Sequence, residues 1–137
     1  MPRVLVIDDE DAFRLLLERT LTSAHHQVTA VRDGNEGLLE LAKATPDLVI
    51  TDLYMPNCDG FEFMMTIRKA FPALPIIAVS GDPGGLPVLA VAGRMGAHAI
   101  LRKPFAVQEL FAVVNRALSS PGAEWVPSQE VKAVFSA

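Results

Sequence analysis

Five side chains suited to phosphate and metal chemistry each stand at the end of a short apolar stretch. They are Asp8, Asp9, Asp52, Ser80 and Lys103. Carboxylates are ligands that Mg²⁺ takes in proteins, and ammonium and hydroxyl groups bind phosphoryl oxygens. A carboxylate can also act as a nucleophile and form an acyl phosphate. The set is therefore typical of phosphoryl transfer, in which positioning and charge neutralisation supply most of the catalysis, with Asp52 as the candidate nucleophile.

Short apolar runs alternate with segments of helical periodicity along most of the chain. The runs, each a strand candidate, are 4–7, 28–31, 48–50, 76–79 and 99–101. Helical stripes are formed by Phe13, Leu16, Leu17 and Leu21, by Leu38, Leu41 and Ala42, by Phe61, Met64, Ile67 and Phe71, and by Val107, Leu110, Phe111, Val114 and Leu118. A further helix is predicted within 86–95. This alternation predicts an α/β domain with a doubly wound, flavodoxin-like, five-stranded parallel sheet and five helices on both faces.

The sheet explains why distant residues can form one site. Right-handed crossovers place the carboxyl ends of parallel strands at the same edge, where open α/β sheets bind ligands. We therefore expect the acidic, hydroxyl and ammonium groups to converge in one cleft. Carboxylates held this close repel each other, and Mg²⁺ or another divalent cation would relieve the repulsion.

Composition limits the classes of partner. The chain has 137 residues, a net charge of −4 and no cluster of Lys or Arg, so we predict no nucleic-acid surface within it. Its one cysteine, Cys58, excludes an internal disulfide. No segment approaches membrane-spanning length, and we predict a soluble, cytoplasmic protein without a membrane partner. The predicted domain covers 1–118, and 119–137 form a tail or linker.

Four segments together resemble the receiver domain of two-component response regulators. They are VLVIDDE (4–10), DLVITDLYMPNCDG (47–60), AVSGD (78–82) and GAHAILRKPF (96–105). The resemblance covers residues 3 to about 118 and implies the sheet order 2-1-3-4-5. It implies a phosphorylation-dependent signalling switch of a phosphorelay, which catalyses only its own phosphorylation and dephosphorylation and turns over no separate substrate.

The resemblance also implies a role for each acidic residue. Asp52 corresponds to the phosphoacceptor, which takes a phosphoryl group from a phosphohistidine. Asp9 corresponds to a direct Mg²⁺ ligand, and Asp8 acts mainly through metal-bound water. The backbone carbonyl of Tyr54 corresponds to the third protein ligand.

The resemblance assigns the switch to the remaining positions. Ser80 matches the hydroxyl that turns toward the phosphoryl group, and Lys103 matches the amine that pairs with it. The Lys103-Pro104 peptide bond is expected to be cis. Ile100 stands where receivers usually carry Tyr or Phe, so this position has no aromatic ring for the usual readout of the switch.

The implied partners are a sensor histidine kinase or histidine phosphotransfer protein and a downstream protein or output domain. Residues 86–92 are apolar on both predicted helix faces, which suggests a homodimer through the fourth helix and fifth strand. In the tail, Val131, Val134 and Phe135 are spaced as in a short helix that would need a packing surface.

Two alternative functions stay open from the sequence. A small phosphatase of the haloacid dehalogenase type also uses an aspartate nucleophile, Mg²⁺, a hydroxyl and a lysine, and Asp9 with Asp11 superficially fits its motif. An unphosphorylated, receiver-like interaction module is the second alternative. The pair His25-His26 suggests a metal site, but we interpret it as a solvent-exposed helix end because no carboxylate lies nearby in sequence.

Overall fold

The core of the fold is a parallel sheet of apolar strands. The strands are β1 (Arg3–Ile7), β2 (Gln27–Val31), β3 (Leu48–Asp52), β4 (Ile76–Ser80) and β5 (Ala99–Arg102). The computed structural model describes residues 2–53, 60–81 and 96–119, and in it the strands form one sheet in the order β2-β1-β3-β4-β5. Every strand pair is parallel. The predicted fold class and sheet order are thus confirmed.

Four helices lie within the described residues. They are α1 (Asp11–Ser23), α2 (Gly34–Lys43), α3 (Gly60–Ala70) and α4 (Val107–Ser119). The helix predicted within 86–95, the carbonyl of Tyr54 and the tail beyond residue 119 lie outside the described residues. No helix in the described ranges is long and apolar enough to cross a membrane.

The two faces of the sheet carry separate hydrophobic cores because side chains alternate along each strand. On one face, Leu5 and Ile7 of β1 pack with residues of α2 and α3 such as Leu41 and Phe63. On the other face, Val4 and Val6 pack with residues of α1 and α4. β3 and β4 are buried along their whole length, which matches their continuous apolar sequence.

Four details of the sequence interpretation were wrong. Leu16, Ala42 and Val107 were placed on the apolar stripes of their helices, but all three are exposed, Leu16 at 52% and Val107 at 47%. His26 is buried rather than solvent-exposed, at 8%, and its Nδ1 makes no hydrogen bond to any of the residues that the structure describes. His25 takes the positive backbone angle, φ 69°, that ends α1 and turns the chain toward β2.

Arg68 forms hydrogen bonds with the segments that precede β4 and β5 at the amino edge of the sheet. Its Nη1 donates to the carbonyl oxygens of Pro72 at 2.7 Å and Leu74 at 3.0 Å, and its Nη2 donates to that of Gly96 at 2.7 Å. Gly96 has φ 105°, and a Cβ there would lie 2.8 Å from Arg68 Nε. Glycine is therefore required beside the guanidinium on both conformational and steric grounds.

His98 at the same edge predicts a pH effect on stability. Its Nδ1 accepts a hydrogen bond from the Ile76 N–H at 3.4 Å, which needs an unprotonated nitrogen. Burial, and then the charge of Arg68, lower the pKa of His98 below its usual value. The folded state therefore holds this proton less readily than the unfolded chain, so its contribution to stability is lost as pH falls below about 6.5.

We expect urea unfolding at pH 7 and pH 5.5 to show a larger acid-induced loss of stability in the wild type than in His98→Asn. The asparagine carbonyl oxygen can accept the same hydrogen bond but does not titrate. The difference between the two slopes is limited to about 1.4 kcal/mol per pH unit for one proton. Identical slopes would show that His98 does not titrate differently in the two states.

Candidate functional site

Three carboxylates meet at the carboxyl edge of the sheet. Asp8 follows β1, Asp52 is the last residue of β3, and Asp9 lies beside Asp8. One oxygen from each of Asp8, Asp9 and Asp52 lies within 4.8 Å of the others. Asp8 and Asp52 are buried, whereas Asp9 is exposed. We call Asp8, Asp9 and Asp52 the acidic cluster.

The acidic cluster fits a small divalent cation. Mg²⁺ binds oxygen ligands at about 2.1 Å, so two ligands of one ion stand at most about 4.2 Å apart, and the oxygens of the cluster lie within 4.8 Å of one another. The exposure of Asp9 leaves one side open to water, several molecules of which Mg²⁺ usually keeps. The three carboxylates are therefore close enough together to bind one divalent cation.

Lys103 joins the two buried carboxylates. Its Nζ lies 2.8 Å from Asp8 Oδ2 and 3.1 Å from Asp52 Oδ2, and its side chain is only 13% exposed. Burial by itself lowers the pKa of Lys103, but the hydrogen bond to Asp8 and the charge of Asp52 outweigh it, so the pKa is raised. The side chain is thus a fixed cation at neutral pH.

The backbone at the ends of β4 and β5 positions this lysine. The Lys103 N–H donates to the Ser80 carbonyl at 2.8 Å, which extends the pairing of the two strands. A Cβ on Gly81 would lie 3.3 Å from both Cβ and Cδ of Lys103, so glycine leaves room for the lysine stem. The Lys103-Pro104 peptide bond is cis, as the resemblance implied.

Asp8 has a second contact that holds it in place. Its Oδ1 accepts a hydrogen bond from the Glu10 N–H at 2.9 Å at the start of α1, and its Oδ2 faces Lys103. Arg14 Nη1 donates to the Asp8 carbonyl at 2.9 Å. The hydrogen bond from Glu10 and the ion pair with Lys103 therefore fix the orientation of the Asp8 carboxylate.

The other predicted site residues take different positions. Ser80 is completely buried at the end of β4, next to the backbone of Lys103. Ile100 is half-buried in β5 and packs against the core that faces α2 and α3. The structure thus brings Asp8, Asp9, Asp52 and Lys103 together.

Comparisons with known proteins agree with this geometry. The sequence model of the family described as "Response regulator receiver domain" matches residues 4–115, which include every member of the acidic cluster and Lys103. This chain belongs to the response regulator receiver domain family.

Relatives of this receiver domain include longer regulators. It is 38% identical over 116 residues to the DNA-binding transcriptional regulator NtrC of Salmonella typhimurium, matching 85% of this chain and 24% of the relative. It is 36% identical over 118 residues to the transcriptional regulatory protein AfsQ1 of Streptomyces coelicolor, of which 52% is covered. The chain thus spans about a quarter of the length of the NtrC relatives it matches.

Solved structures give the same result. A receiver domain protein from Clostridium thermocellum superposes with a TM-score of 0.82 at 30% identity, covering 87% of this chain and 95% of the other. The receiver domain of NtrX from Brucella abortus gives a TM-score of 0.82 at 31% identity, covering 85% and 98%. This likeness extends over nearly the whole of both solved domains.

Two aromatic residues near Lys103 were not among the predicted site residues of this receiver domain. Lys103 Nζ lies 4.1 Å from the centroid of the Phe13 ring, within the range of cation–π attraction. Phe105 packs edge-on against Phe13, with ring centroids 5.4 Å apart and planes at 90°. The sequence had placed Phe13 only on the apolar stripe of α1. Phe105 ends the segment GAHAILRKPF, so its place next to Lys103-Pro104 was the one feature of the sequence that indicated an aromatic residue near the site.

The buried charges predict a large stability effect at Lys103. In Mg²⁺-free buffer at pH 7, Lys103→Met is expected to lower the free energy of unfolding by about 3 kcal/mol, because Asp8 and Asp52 lose their common cation. Adding Asp8→Asn to this variant should restore part of the loss, since one of the uncompensated charges disappears. Urea unfolding measures both effects, and a loss below about 0.5 kcal/mol would contradict the ion-pair account.

Proposed function

We propose that this receiver domain accepts a phosphoryl group on Asp52 and works as a phosphorylation-dependent signalling switch. The proposal rests on the position of Lys103, whose ammonium group contacts both Asp52 and Asp8 of the acidic cluster. Such an arrangement places a fixed positive charge where phosphoryl oxygens would arrive beside the nucleophile. Family membership supplies the reaction class.

In the proposed reaction, a carboxylate oxygen of Asp52 attacks the phosphorus of a phosphohistidine. A phosphorus–oxygen bond forms, the phosphorus–nitrogen bond breaks, and the released imidazole takes a proton from water. Lys103 stays protonated throughout and neutralises charge on the phosphoryl oxygens. Hydrolysis of the acyl phosphate by water releases inorganic phosphate and restores the Asp52 carboxylate, which resets the switch.

The proposed cofactor is Mg²⁺, with Asp8, Asp9, Asp52 and the carbonyl of Tyr54 as the protein groups that hold it. A bound Mg²⁺ supplies charge neutralisation for phosphoryl oxygens. Asp9 contributes an exposed carboxylate, while Asp8 is already oriented by the Glu10 N–H and Lys103. A cation would also reduce the repulsion within the acidic cluster.

The proposed switch links Ser80 to the surface that binds partners. Ser80 lies at the end of β4 and is joined through its carbonyl to Lys103. We propose that its hydroxyl turns toward the phosphoryl group and that β5, with Ile100, shifts with it. Since Ile100 has no ring to swing inward, the readout would depend on displacement of the strand. The homodimer through the fourth helix and fifth strand belongs to this proposal.

We further propose that the receiver domain extends over 1–118 and that 119–137 form a tail or linker. The proposed phosphoryl donor is a sensor histidine kinase or a histidine phosphotransfer protein. Relatives such as NtrC, described as DNA-binding transcriptional regulators, support an output domain or separate protein as the downstream partner. A cytoplasmic location and the lack of separate substrate turnover stay predictions.

Acetyl phosphate with Mg²⁺ tests the proposed function without knowledge of the kinase. The wild-type protein should gain the mass of one phosphoryl group in intact mass spectrometry and lose it again on standing. A small phosphate ester offered in excess should not be turned over. Absence of any mass gain would favour the unphosphorylated module, and sustained ester turnover would favour a phosphatase.

A further inference from the structure

An apolar groove lies at the edge of the sheet opposite the acidic cluster. It has a volume of about 760 Å³ and runs past the residues that precede β3 and β4 to the end of α4. We call it the basal groove. Its apolar lining includes Pro46, Phe71, Ala73, Leu74, Pro75 and Leu118.

The walls of the basal groove are held in place before anything binds. Arg68 donates to the carbonyls of Phe71, Pro72 and Leu74 on one wall. Prolines at 72 and 75 restrict the same stretch. A preformed groove of this size and lining is the type that accepts an apolar anchor without a reorganisation cost.

The basal groove continues onto the face formed by α2 and α3. A second apolar depression of about 190 Å³ lies between these helices and shares Ala70 and Phe71 with the groove. Its other lining includes Leu38, Leu41 and Ile67. An apolar track therefore leads from the end of α4, beneath the sheet, to the α2–α3 face.

The last turn of α4 forms part of the wall of the basal groove. Leu118 lines the groove, and α4 ends at the next residue, Ser119. Trp125 comes six residues later. Six residues span at most about 20 Å, so Trp125 lies no farther than about this distance from the end of α4, where Leu118 lines the groove. Tethering at this distance gives the tail an effective concentration in the millimolar range, which favours it over a second copy at ordinary concentrations.

We propose that residues 120–137 dock back onto their own receiver domain, with Trp125 in the basal groove and the stripe of Val131, Val134 and Phe135 on the α2–α3 depression. The two apolar sections of the tail follow the order of the two depressions along the track. A helix as short as the one predicted for this stripe needs such a surface, because it is marginal alone. Docking there leaves the acidic cluster open, so the proposal does not rest on phosphorylation.

Trp125 is the single tryptophan of the chain and reports its own environment. In the 137-residue chain we expect blue-shifted fluorescence and an acrylamide quenching constant several-fold below that of the urea-unfolded chain. Ala73→Glu, at an exposed position in the groove, should shift the emission toward that of tryptophan in water and raise quenching several-fold. Ala112→Glu on the exposed face of α4 is the matched control and should change neither. Circular dichroism checks that both variants are folded.

Three outcomes would overturn the proposal. Water-like emission in the folded wild type would mean that Trp125 is not docked. Blue-shifted emission that Ala73→Glu leaves unchanged would place the side chain elsewhere. A blue shift that disappears on dilution would identify the occupant of the groove as the tail of a second copy rather than that of the same chain.

Discussion

The Asp52→Asn variant is expected to gain no phosphoryl group from acetyl phosphate under conditions in which the wild type becomes modified. Asparagine keeps the size of the side chain at this buried strand end, but its amide lacks the charge and nucleophilicity of a carboxylate. Lys103 retains its contact with Asp8 in this variant, so the fold is expected to persist. Intact mass spectrometry over time measures the loss.

Asp47→Asn is the matched control for this experiment. Asp47 is an exposed aspartate at the amino edge of β3, where its Oδ2 accepts a hydrogen bond from the Arg3 N–H. The control should be phosphorylated at the wild-type rate. Equal mass gains in Asp52→Asn and the wild type would show that another group is the acceptor and would remove the central assignment.

Loss of the divalent cation is expected to have the second largest effect on activity. Chelation by EDTA, or the substitution Asp9→Asn, should slow phosphorylation by about 10²-fold or more, the scale associated with loss of one electrostatic stabiliser of a transition state. Asp9 is the exposed member of the acidic cluster, so its replacement tests cation binding with little disturbance of the core.

A stability measurement gives an independent readout of cation binding. A ligand at ten times its Kd stabilises the folded state by about 1.4 kcal/mol. The wild type should show such a gain when Mg²⁺ is titrated during urea unfolding, whereas Asp9→Asn should need a much higher concentration. Asp47→Asn again serves as the control. An unchanged Mg²⁺ response in Asp9→Asn would exclude this carboxylate as a ligand.

The sheet could be predicted from sequence because strands buried on both faces leave a strong signal. Runs such as 48–50 and 76–79 are continuously apolar, which is typical of parallel strands that helices cover on both faces. The structure extends these strands to Asp52 and Ser80, so both residues end a strand rather than follow one. Their place at the carboxyl edge followed from the handedness of the crossovers.

Helix faces were less well determined by the pattern. Leu16 fits the apolar spacing of α1 as well as Leu17 does, yet only Leu17 and Leu21 are buried. The orientation of a helix depends on the sheet that it covers, and spacing alone leaves an uncertainty of one position. His26 was misjudged for a similar reason, since a polar residue at a helix end looks exposed until the next strand folds over it.

The acidic cluster was predictable, but its surroundings were not. The sequence shows which polar residues stand at the strand ends, and the sheet topology brings those residues together. Lys103 was predicted, but its contact with the Phe13 ring joins residues 90 positions apart in different elements, and nothing in the sequence around Phe13 indicates that contact. Only the structure shows why residue 81 is a glycine: a Cβ there would lie 3.3 Å from Cβ and Cδ of Lys103.

Locating the phosphoryl group by residue is the most direct test of the account. After phosphorylation with acetyl phosphate and Mg²⁺, borohydride reduction converts an aspartyl phosphate to homoserine, which peptide sequencing by mass spectrometry can place. The account predicts homoserine at position 52 and intact aspartate at positions 8 and 9. Homoserine at position 8 or 9, with Asp52 unmodified, would contradict it.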